Sequence, residues 1–319
     1  MREASKVHTR MKAKLIVNPV SGTDSAPDYL QTINQSLRQK FLDLDIVMTT
    51  GAGDAMQAAA RAVEQGCTHL FIAGGDGTLN EVLNGVMRLD ETSTGVIFGL
   101  IPLGTGNDFA VALGLPEDVP TTLDILLAGR TVEVDVGQLN DRFFVNVSAG
   151  GFIAEVSDAV DPRLKSLAGK LAYLVGGAQV LFDYDPVETS VQIIEEEKSF
   201  ALTMQMFAVC NSRLIGGGRM IAPDARIDDG LLDVCLIEAM PTLDFIGLLT
   251  RVSSGDHVEE ERVHYFKAHE LRMEFARAVK VNTDGEVFET RECRYRVLPK
   301  AARFIAGEVP YSSDDATSQ

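Results

Sequence analysis

One glycine-rich segment carries residue types that suit phosphate chemistry. The first glycine loop, residues 74–80, follows the apolar run 69–73 and precedes apolar residues of helical period. Three glycines between a strand and a helix let backbone amides approach an anion at the helix N-terminus. Asp76 in the middle of such a loop is unusual unless a cation or a hydroxyl also binds there. The loop therefore indicates phosphoryl transfer, although it does not match the lysine-containing P-loop pattern.

Two more segments of the first half carry groups that suit a phosphate ligand. Residues 18–22 end the first predicted strand and form either a strand-to-helix turn or an early phosphate contact. The second glycine loop, residues 104–108, follows another apolar strand-like run. Its threonine offers a hydroxyl, its two glycines allow backbone access, and Asp108 either caps a helix or serves the same site. Both segments extend the anion site that the first glycine loop predicts.

Two late turns carry carboxylates whose roles the sequence leaves open. Residues 224–233, which include Asp229, form either a solvated hairpin turn or a loop whose oxygens suit a hard cation such as Mg²⁺. Residues 282–286 form either a simple turn or a turn that supplies a general base. In the second case Asp284 or Glu286 would accept a proton from a substrate hydroxyl. The five histidines show no ligand spacing, so a zinc site is not predicted.

A strand–helix alternation in the first half would position the two glycine loops. Strands are predicted at residues 13–17, 45–49, 69–73 and 96–101, and helices at residues 28–41 and 54–65. Apolar strands separated by helices favour a mostly parallel sheet that is covered on both faces, a doubly wound α/β domain. Ligands of such sheets bind beyond the carboxyl ends of the strands, where these loops lie.

In the second half, short apolar runs separated by turn signals replace the strand–helix alternation. This pattern predicts an antiparallel sheet or β-sandwich-like domain with inserted helices. Short apolar runs occur at residues 132–136, 143–147, 191–194, 201–208, 231–237, 271–275, 279–281 and 294–298. Turn signals separate them, and helices are expected near residues 163–182 and 241–254. We expect a disordered arm at 1–11, an α/β domain at 12–140, a β-rich domain at 141–298, a return to the first domain at 299–309 and a disordered tail at 310–319.

The composition of the chain limits which partners it could bind and indicates the cellular compartment in which it works. The chain has 319 residues, which suits two domains, and a formal net charge of −17, which disfavours nucleic acid. The N-terminal segment has no apolar core of a signal peptide, and no run of about 18 apolar residues could span a bilayer. The four cysteines form no CxxC pair and are expected to be reduced thiols. These features predict a cytoplasmic protein whose membrane contact depends on local apolar patches.

Five motifs in one order resemble a known family. NPVSG, GGDGTLNEV, PLGTGNDFA, ARIDDGLLDV and TDGE occur in sequence over residues 12–306. The chain resembles the bacterial soluble lipid kinases that share the diacylglycerol kinase catalytic domain. It resembles sphingosine kinases, NAD kinases and phosphofructokinases more distantly. GGDGT is common to the wider group, whereas PLGTGNDFA favours lipid kinases over NAD kinases.

The resemblance implies a two-domain fold with ATP in the cleft and a structural Mg²⁺ site formed by the carbonyls of Arg226 and Leu231 and the side chain of Asp229. Glu286 matches the proton acceptor, with Asp284 as its neighbour, and Asp76 and Asp108 match acids of the catalytic cleft. Lys165 or Lys170 would add a basic contact. The implied nucleotide contacts are Asn18, Pro19, Val20, Ser21, Gly22, Thr49, Gly74, Gly75, Asp76, Gly77, Thr78, Leu79, Asn80, Gly104, Thr105 and Gly106.

The resulting hypothesis is an ATP- and Mg²⁺-dependent lipid kinase. The γ-phosphoryl group would pass in line to a lipid hydroxyl, and diacylglycerol or a related lipid is the favoured acceptor. Catalysis would rest mainly on positioning and charge neutralisation. A small-molecule kinase acting on NAD and a nucleotide-binding regulator with little turnover are the alternatives. The sequence leaves the acceptor lipid and the oligomeric state open. A homodimer is one alternative, and contact with a membrane is expected to be transient.

Overall fold

A computed structural model describes residues 11–22, 26–89, 95–159 and 184–310. The predicted helix at residues 163–182, with Lys165 and Lys170, lies outside the described residues, as do residues 1–10 of the predicted arm and residues 311–319 of the predicted tail. Within the described residues, no helix combines the length and the apolar composition that crossing a bilayer requires.

The first half forms a parallel sheet with helices between its strands, as the sequence predicts. Strands β1 to β4 lie side by side in the order β4-β3-β1-β2, and every pairing among them is parallel. The elements are β1 (Lys12–Val17), α1 (Ala26–Leu37), β2 (Asp43–Met48), α2 (Asp54–Glu64), β3 (His69–Gly74), α3 (Asp76–Met87), β4 (Ile97–Pro102), α4 (Asp108–Ala112) and α5 (Val119–Ala128).

Alternate residues of the central strands explain why helices cover both faces of this sheet. Leu70 and Ile72 of β3 belong to one buried apolar cluster, which also contains Val82 of α3. Phe71 and Ala73, which point to the opposite face, belong to a second cluster with residues of α1 and α5. A strand that is apolar on both faces can be buried only when helices pack on both.

The second half is mostly antiparallel and β-rich, which confirms the predicted fold class. Its elements are β5 (Thr131–Leu139), β6 (Arg142–Phe144), β7 (Val147–Gly151), α6 (Phe152–Ala159), β8 (Val187–Ile193), β9 (Lys198–Cys210), β10 (Leu214–Ile215), β11 (Arg219–Met220), β12 (Leu232–Glu238), α7 (Thr242–Arg251), a 3-10 helix (Asp256–Glu259), β13 (Val263–Ala268), β14 (Glu270–Thr283) and β15 (Glu286–Ile305). The helix expected near residues 241–254 is α7. All four cysteines are buried and free.

One long strand joins the two halves. β15 pairs antiparallel with β14 and β5, and its last residues pair in parallel with β4, with Arg303 opposite Ile97. The separate short runs predicted at residues 271–275, 279–281 and 294–298 therefore lie in two long strands, each with a register shift. A single branched sheet of thirteen described strands thus runs through both halves, and the domain limits drawn from the sequence stay predictions.

Candidate functional site

The two glycine loops contact each other at the carboxyl end of the parallel strands. A Cβ atom on Gly104 would lie 2.5 Å from Cα of Gly75, so only glycine fits at this approach. Asn107, at φ 52°, holds the second loop closed: its Oδ1 accepts the N–H of Gly104 at 2.9 Å, and its Nδ2 donates to the Gly104 carbonyl at 2.8 Å. The predicted loops therefore form one joined surface.

Asp76 and Asp108 connect three segments through backbone amides. The Asp76 carboxylate accepts the N–H groups of Asp108 at 3.3 Å and Phe109 at 3.4 Å, at the start of α4. Asp108 in turn accepts the N–H groups of Gly217 at 3.0 Å and Gly218 at 2.8 Å, between β10 and β11. Burial, and then the nearby charge of Asp108, raises the pKa of Asp76. The two acids thus fasten the first half to the second.

The first turn of α3 offers donors to an anion. The helix starts at Asp76, with Gly75 as its N-cap, so the loop between β3 and α3 is shorter than predicted. Among the described residues, no acceptor takes the N–H groups of Gly77 and Thr78. Asn18, at the end of β1, donates to the Thr78 hydroxyl at 3.0 Å. This arrangement matches the backbone geometry that binds phosphate at helix N-termini.

The other predicted nucleotide contacts fall into two groups. Val20, Gly22, Thr105 and Gly106 are exposed at the rim of the loops, with Pro19 and Ser21 half-buried beside them. Leu79 is buried in the apolar core, and the Asn80 side chain donates to the Phe143 carbonyl at 3.0 Å. The structure therefore does not bring the side chains of Leu79 and Asn80 to the loop surface.

The loop after β2 already holds two carboxylates. Asp54 Oδ2 accepts the N–H groups of Thr50 and Gly51, and Glu81 of α3 accepts those of Gly53 and Ala55. Thr49 itself is buried, and its N–H donates to the Val17 carbonyl at 2.9 Å. The N-terminus of α2 is therefore occupied by acids of this chain, which the sequence analysis did not predict.

Asp284 lies in the turn between β14 and β15, and its carboxylate is enclosed. Its oxygens accept the N–H groups of Val145 at 2.9 Å, Asn146 at 3.2 Å and Val147 at 2.8 Å. Burial, and to a lesser degree the charge of Asp76, raises the pKa of Asp284 to about 6 against the lowering effect of these amides. Gly285, in the same turn, approaches Gly77 of α3. The turn is thereby fixed beside the first glycine loop.

Glu286 presents its carboxylate at the surface of the same turn. Its side chain is 40% exposed, and its Oε2 accepts a hydrogen bond from Nη1 of Arg142. The Arg142 guanidinium lies over the Phe288 ring, 4.4 Å from its centroid. Sequence analysis missed Arg142, whose only local signal is its place just after the Asn-Asp hairpin turn.

The predicted ion loop contains an internal cation. Lys267 Nζ lies 2.7 Å from Asp229 Oδ2, 3.1 Å from Asp233 Oδ2 and 3.1 Å from the Asp224 carbonyl. Asp229 Oδ1 accepts the N–H of Leu231 at 3.1 Å. Among the described residues, no group of three or more acidic, histidine or cysteine side chains could hold a metal ion. With Lys267 between Asp229 and Asp233, these side chains do not fit a metal held by several acidic ligands.

Lys267→Met is expected to lower the free energy of unfolding by about 1–3 kcal/mol, because it leaves the buried Asp233 and the half-buried Asp229 without their cation. Urea unfolding at neutral pH measures the change, with Lys198→Met at an exposed position as the control. Equal midpoints for the variant and the wild type would contradict the expected role. A saturable rise of the wild-type midpoint with Mg²⁺, lost in Asp229→Asn, would instead support the Mg²⁺ site that the resemblance implies.

Comparisons with known proteins cover almost the whole described structure. Residues 12–139 match the diacylglycerol kinase catalytic domain, and residues 146–306 match the YegS C-terminal NAD kinase beta sandwich-like domain. A diacylglycerol kinase of Bacillus subtilis (strain 168) is 34% identical over 276 residues, covering 86% of this chain and 89% of that protein. A protein of Shewanella frigidimarina named "Probable lipid kinase YegS-like" is 31% identical, covering 85% of this chain and 86% of that protein.

Solved structures show the same fold. A crystal structure from Bacillus anthracis str. Sterne has a TM-score of 0.80 at 24% identity, covering 93% of this chain and 97% of that chain. This likeness shows the fold, and the two domain matches together with the Bacillus subtilis relative show the family. The chain belongs to the diacylglycerol kinase family and is a lipid kinase.

Proposed function

We propose that this lipid kinase transfers the γ-phosphoryl group of ATP, taken together with Mg²⁺, to the free hydroxyl of diacylglycerol. The observation that carries the proposal is the convergence of the α3 N-terminus, Asp76 and the turn containing Glu286, with Gly285 beside Gly77. Relatives that cover most of the chain are named diacylglycerol kinases, which supports this acceptor.

The nucleotide phosphates would lie on the amides of Gly77 and Thr78 and on the rim of the two glycine loops. Donors at a helix N-terminus hold a phosphate without side-chain charge, which suits a site that has several acids nearby. Asn18 donates to the Thr78 hydroxyl beside these amides at 3.0 Å. Asp76 and Asp108 would face the cation that accompanies the nucleotide, although their carboxylates also bind backbone amides. Catalysis would then rest on positioning and charge neutralisation.

Glu286 is the general base in this proposal, and Asp284 is a structural anchor. Asp284 as a whole residue is 8% exposed. Its carboxylate accepts three backbone N–H groups, so a lipid hydroxyl cannot reach it without breaking the turn. Glu286 is only two residues away and accessible. A base must come within hydrogen-bond distance of the hydroxyl whose proton it takes.

A panel of acceptors tests the proposal. The purified chain is incubated with radiolabelled ATP and Mg²⁺ and with mixed micelles of diacylglycerol, sphingosine or phosphatidylglycerol, or with NAD in solution. We expect diacylglycerol to give the largest kcat/KM. The same lipid presented in vesicles tests whether the chain acts at a bilayer surface.

Each other result has a definite meaning. Faster transfer to sphingosine or phosphatidylglycerol would keep the lipid kinase but reject diacylglycerol as its acceptor. Transfer to NAD alone would reject the lipid proposal. Binding of ATP without transfer to any acceptor would favour a nucleotide-binding regulator.

A further inference from the structure

Arg142 is the one strong contact of the Glu286 side chain among the described residues. The guanidinium of Arg142 donates to Oε2 of Glu286, and nothing described takes Oε1. An arginine stays charged at all ordinary pH values and has a planar fork of donors, so it orients a carboxylate without exchanging protons with it. One oxygen of Glu286 is therefore held, while the other has no partner among the described residues.

Arg142 is itself held in place from two sides. Its guanidinium stacks over Phe288 at 4.4 Å, and Phe288 shares a strand face with Glu286 because side chains alternate along β15. The residue after it, Phe143, is bound to α3: its carbonyl accepts from Asn80 at 3.0 Å and Asn84 at 2.8 Å, and its N–H donates to Asn84 Oδ1 at 3.0 Å. The contacts between Phe143 and α3 are buried.

This arrangement links Glu286 to the first glycine loop through α3. Asn80 and Asn84 lie one turn apart on the helix whose first residue is Asp76. β6, which carries Arg142, therefore moves with the helix that would bind the phosphates. If the phosphates bind at the start of α3, buried hydrogen bonds as well as the exposed turn would fix the distance between the base and the transferred phosphoryl group.

We propose that Arg142 is the positioning residue of Glu286, an inference that rests on the proposed function. The hydroxyl oxygen of the acceptor lipid bonds to the γ-phosphorus while the bond from that phosphorus to the β,γ-bridging oxygen breaks, and its electron pair leaves with ADP. The hydroxyl proton passes to Oε1 of Glu286. Arg142 holds Oε2 throughout and gives up no proton.

A double-mutant cycle tests the inference on the full chain. The variants are Arg142→Met, Glu286→Gln and the double variant, measured for kcat and for KM of ATP and diacylglycerol. We expect Arg142→Met to lower kcat by at least about tenfold, with KM for ATP changed by less than about twofold. The double variant should be no slower than Glu286→Gln, because Arg142 acts only through that carboxylate.

Two further measurements separate positioning from folding. Arg142→Ala should regain activity when guanidinium ions are added, at concentrations too low to unfold it, since they can occupy the vacated place beside Glu286. Arg303→Met removes another Arg–Glu pair of β15, that of Arg303 with Glu133 on β5, and should leave kcat unchanged. Melting temperatures of all variants should agree within about 2 °C, as expected for half-exposed ion pairs.

Contrary results are distinguishable. If Glu286→Gln keeps full activity, the proposed base is wrong and so is the proposed mechanism. If Glu286→Gln is slow but Arg142→Met is as fast as the wild type, or if the two losses multiply in the double variant, the positioning role of Arg142 is overturned while the base stands. Loss of activity in Arg142→Ala that guanidinium does not restore would also overturn it.

Discussion

Glu286→Gln is expected to lower kcat for phosphoryl transfer to a lipid by about 10²–10⁴-fold, the usual contribution of a general base. Glutamine keeps the size of the side chain and can still accept the hydrogen bond from Arg142, but its amide cannot take a proton. Because the side chain is 40% exposed, the substitution should leave the fold intact. Steady-state rates at saturating ATP and diacylglycerol measure the effect, and KM for ATP should hardly change.

A neighbouring glutamate on the same strand is the matched control. Glu289→Gln makes the same chemical change at an exposed position of β15, and its kcat should stay within about twofold of the wild type. If Glu286→Gln behaves like this control, the assignment of the base fails.

Asp284→Asn separates the two acids of the turn. Asparagine would present an amide donor to at least one of the backbone N–H groups that the carboxylate now accepts, so this variant should lose stability as well as activity. Glu286→Gln should lose activity alone. Thermal unfolding of both variants decides between an anchor and a base, and a stable but inactive Asp284→Asn protein would return Asp284 to the list of candidate bases.

Gly104→Ala is expected to be the most damaging change in the glycine loops. The new Cβ would lie 2.5 Å from Cα of Gly75 and 2.7 Å from Oδ1 of Asn107, and the first of these is backbone that cannot rotate away. Overpacking of this kind costs about 1–3 kcal/mol of stability. Because the two loops must separate, the rim that would bind the nucleotide opens, and we expect KM for ATP to rise by at least about tenfold.

Gly51→Ala provides the control for a small side chain at the same sheet edge. A Cβ on Gly51 meets no atom within 4 Å, and its N–H can still donate to Asp54. Its KM for ATP and its urea midpoint should match those of the wild type. If Gly104→Ala matches them too, the contact between the two glycine loops has no part in nucleotide binding.

Local pattern was enough to predict the scaffold. β1, β3 and β4 were recognisable because they are mostly apolar runs, and a strand buried on both faces needs such a run. β2 lies at the edge of the sheet, and only its last residues, 46–48, form an apolar run. The period of the helices and the positions of the glycines then placed the first glycine loop between β3 and α3. Neither α5 nor β13 was predicted from the sequence. Other errors fell at element ends and in the two long strands, β14 and β15, whose register shifts look like breaks in the sequence.

The roles of the acids depended on contacts between distant segments. Asp284 and Glu286 are equivalent carboxylates two positions apart in the sequence, yet one is enclosed by the amides of residues 145–147 and the other is open. Lys267 likewise reaches the predicted ion loop from a separate strand, and its charge changes what Asp229 can bind.

The sequence by itself therefore determined the parallel sheet of the first half, the glycine loops and the family, because periodicity and short motifs are properties of neighbouring residues. Only the tertiary structure decided which acid is exposed and which cation stands beside it. Arg142 and Glu286 are separated by 144 positions, and no local pattern encodes the pairing of side chains across such a distance. It arises when β6, α3 and β15 pack together, since burial and hydrogen bonding then set the orientation of each charged group.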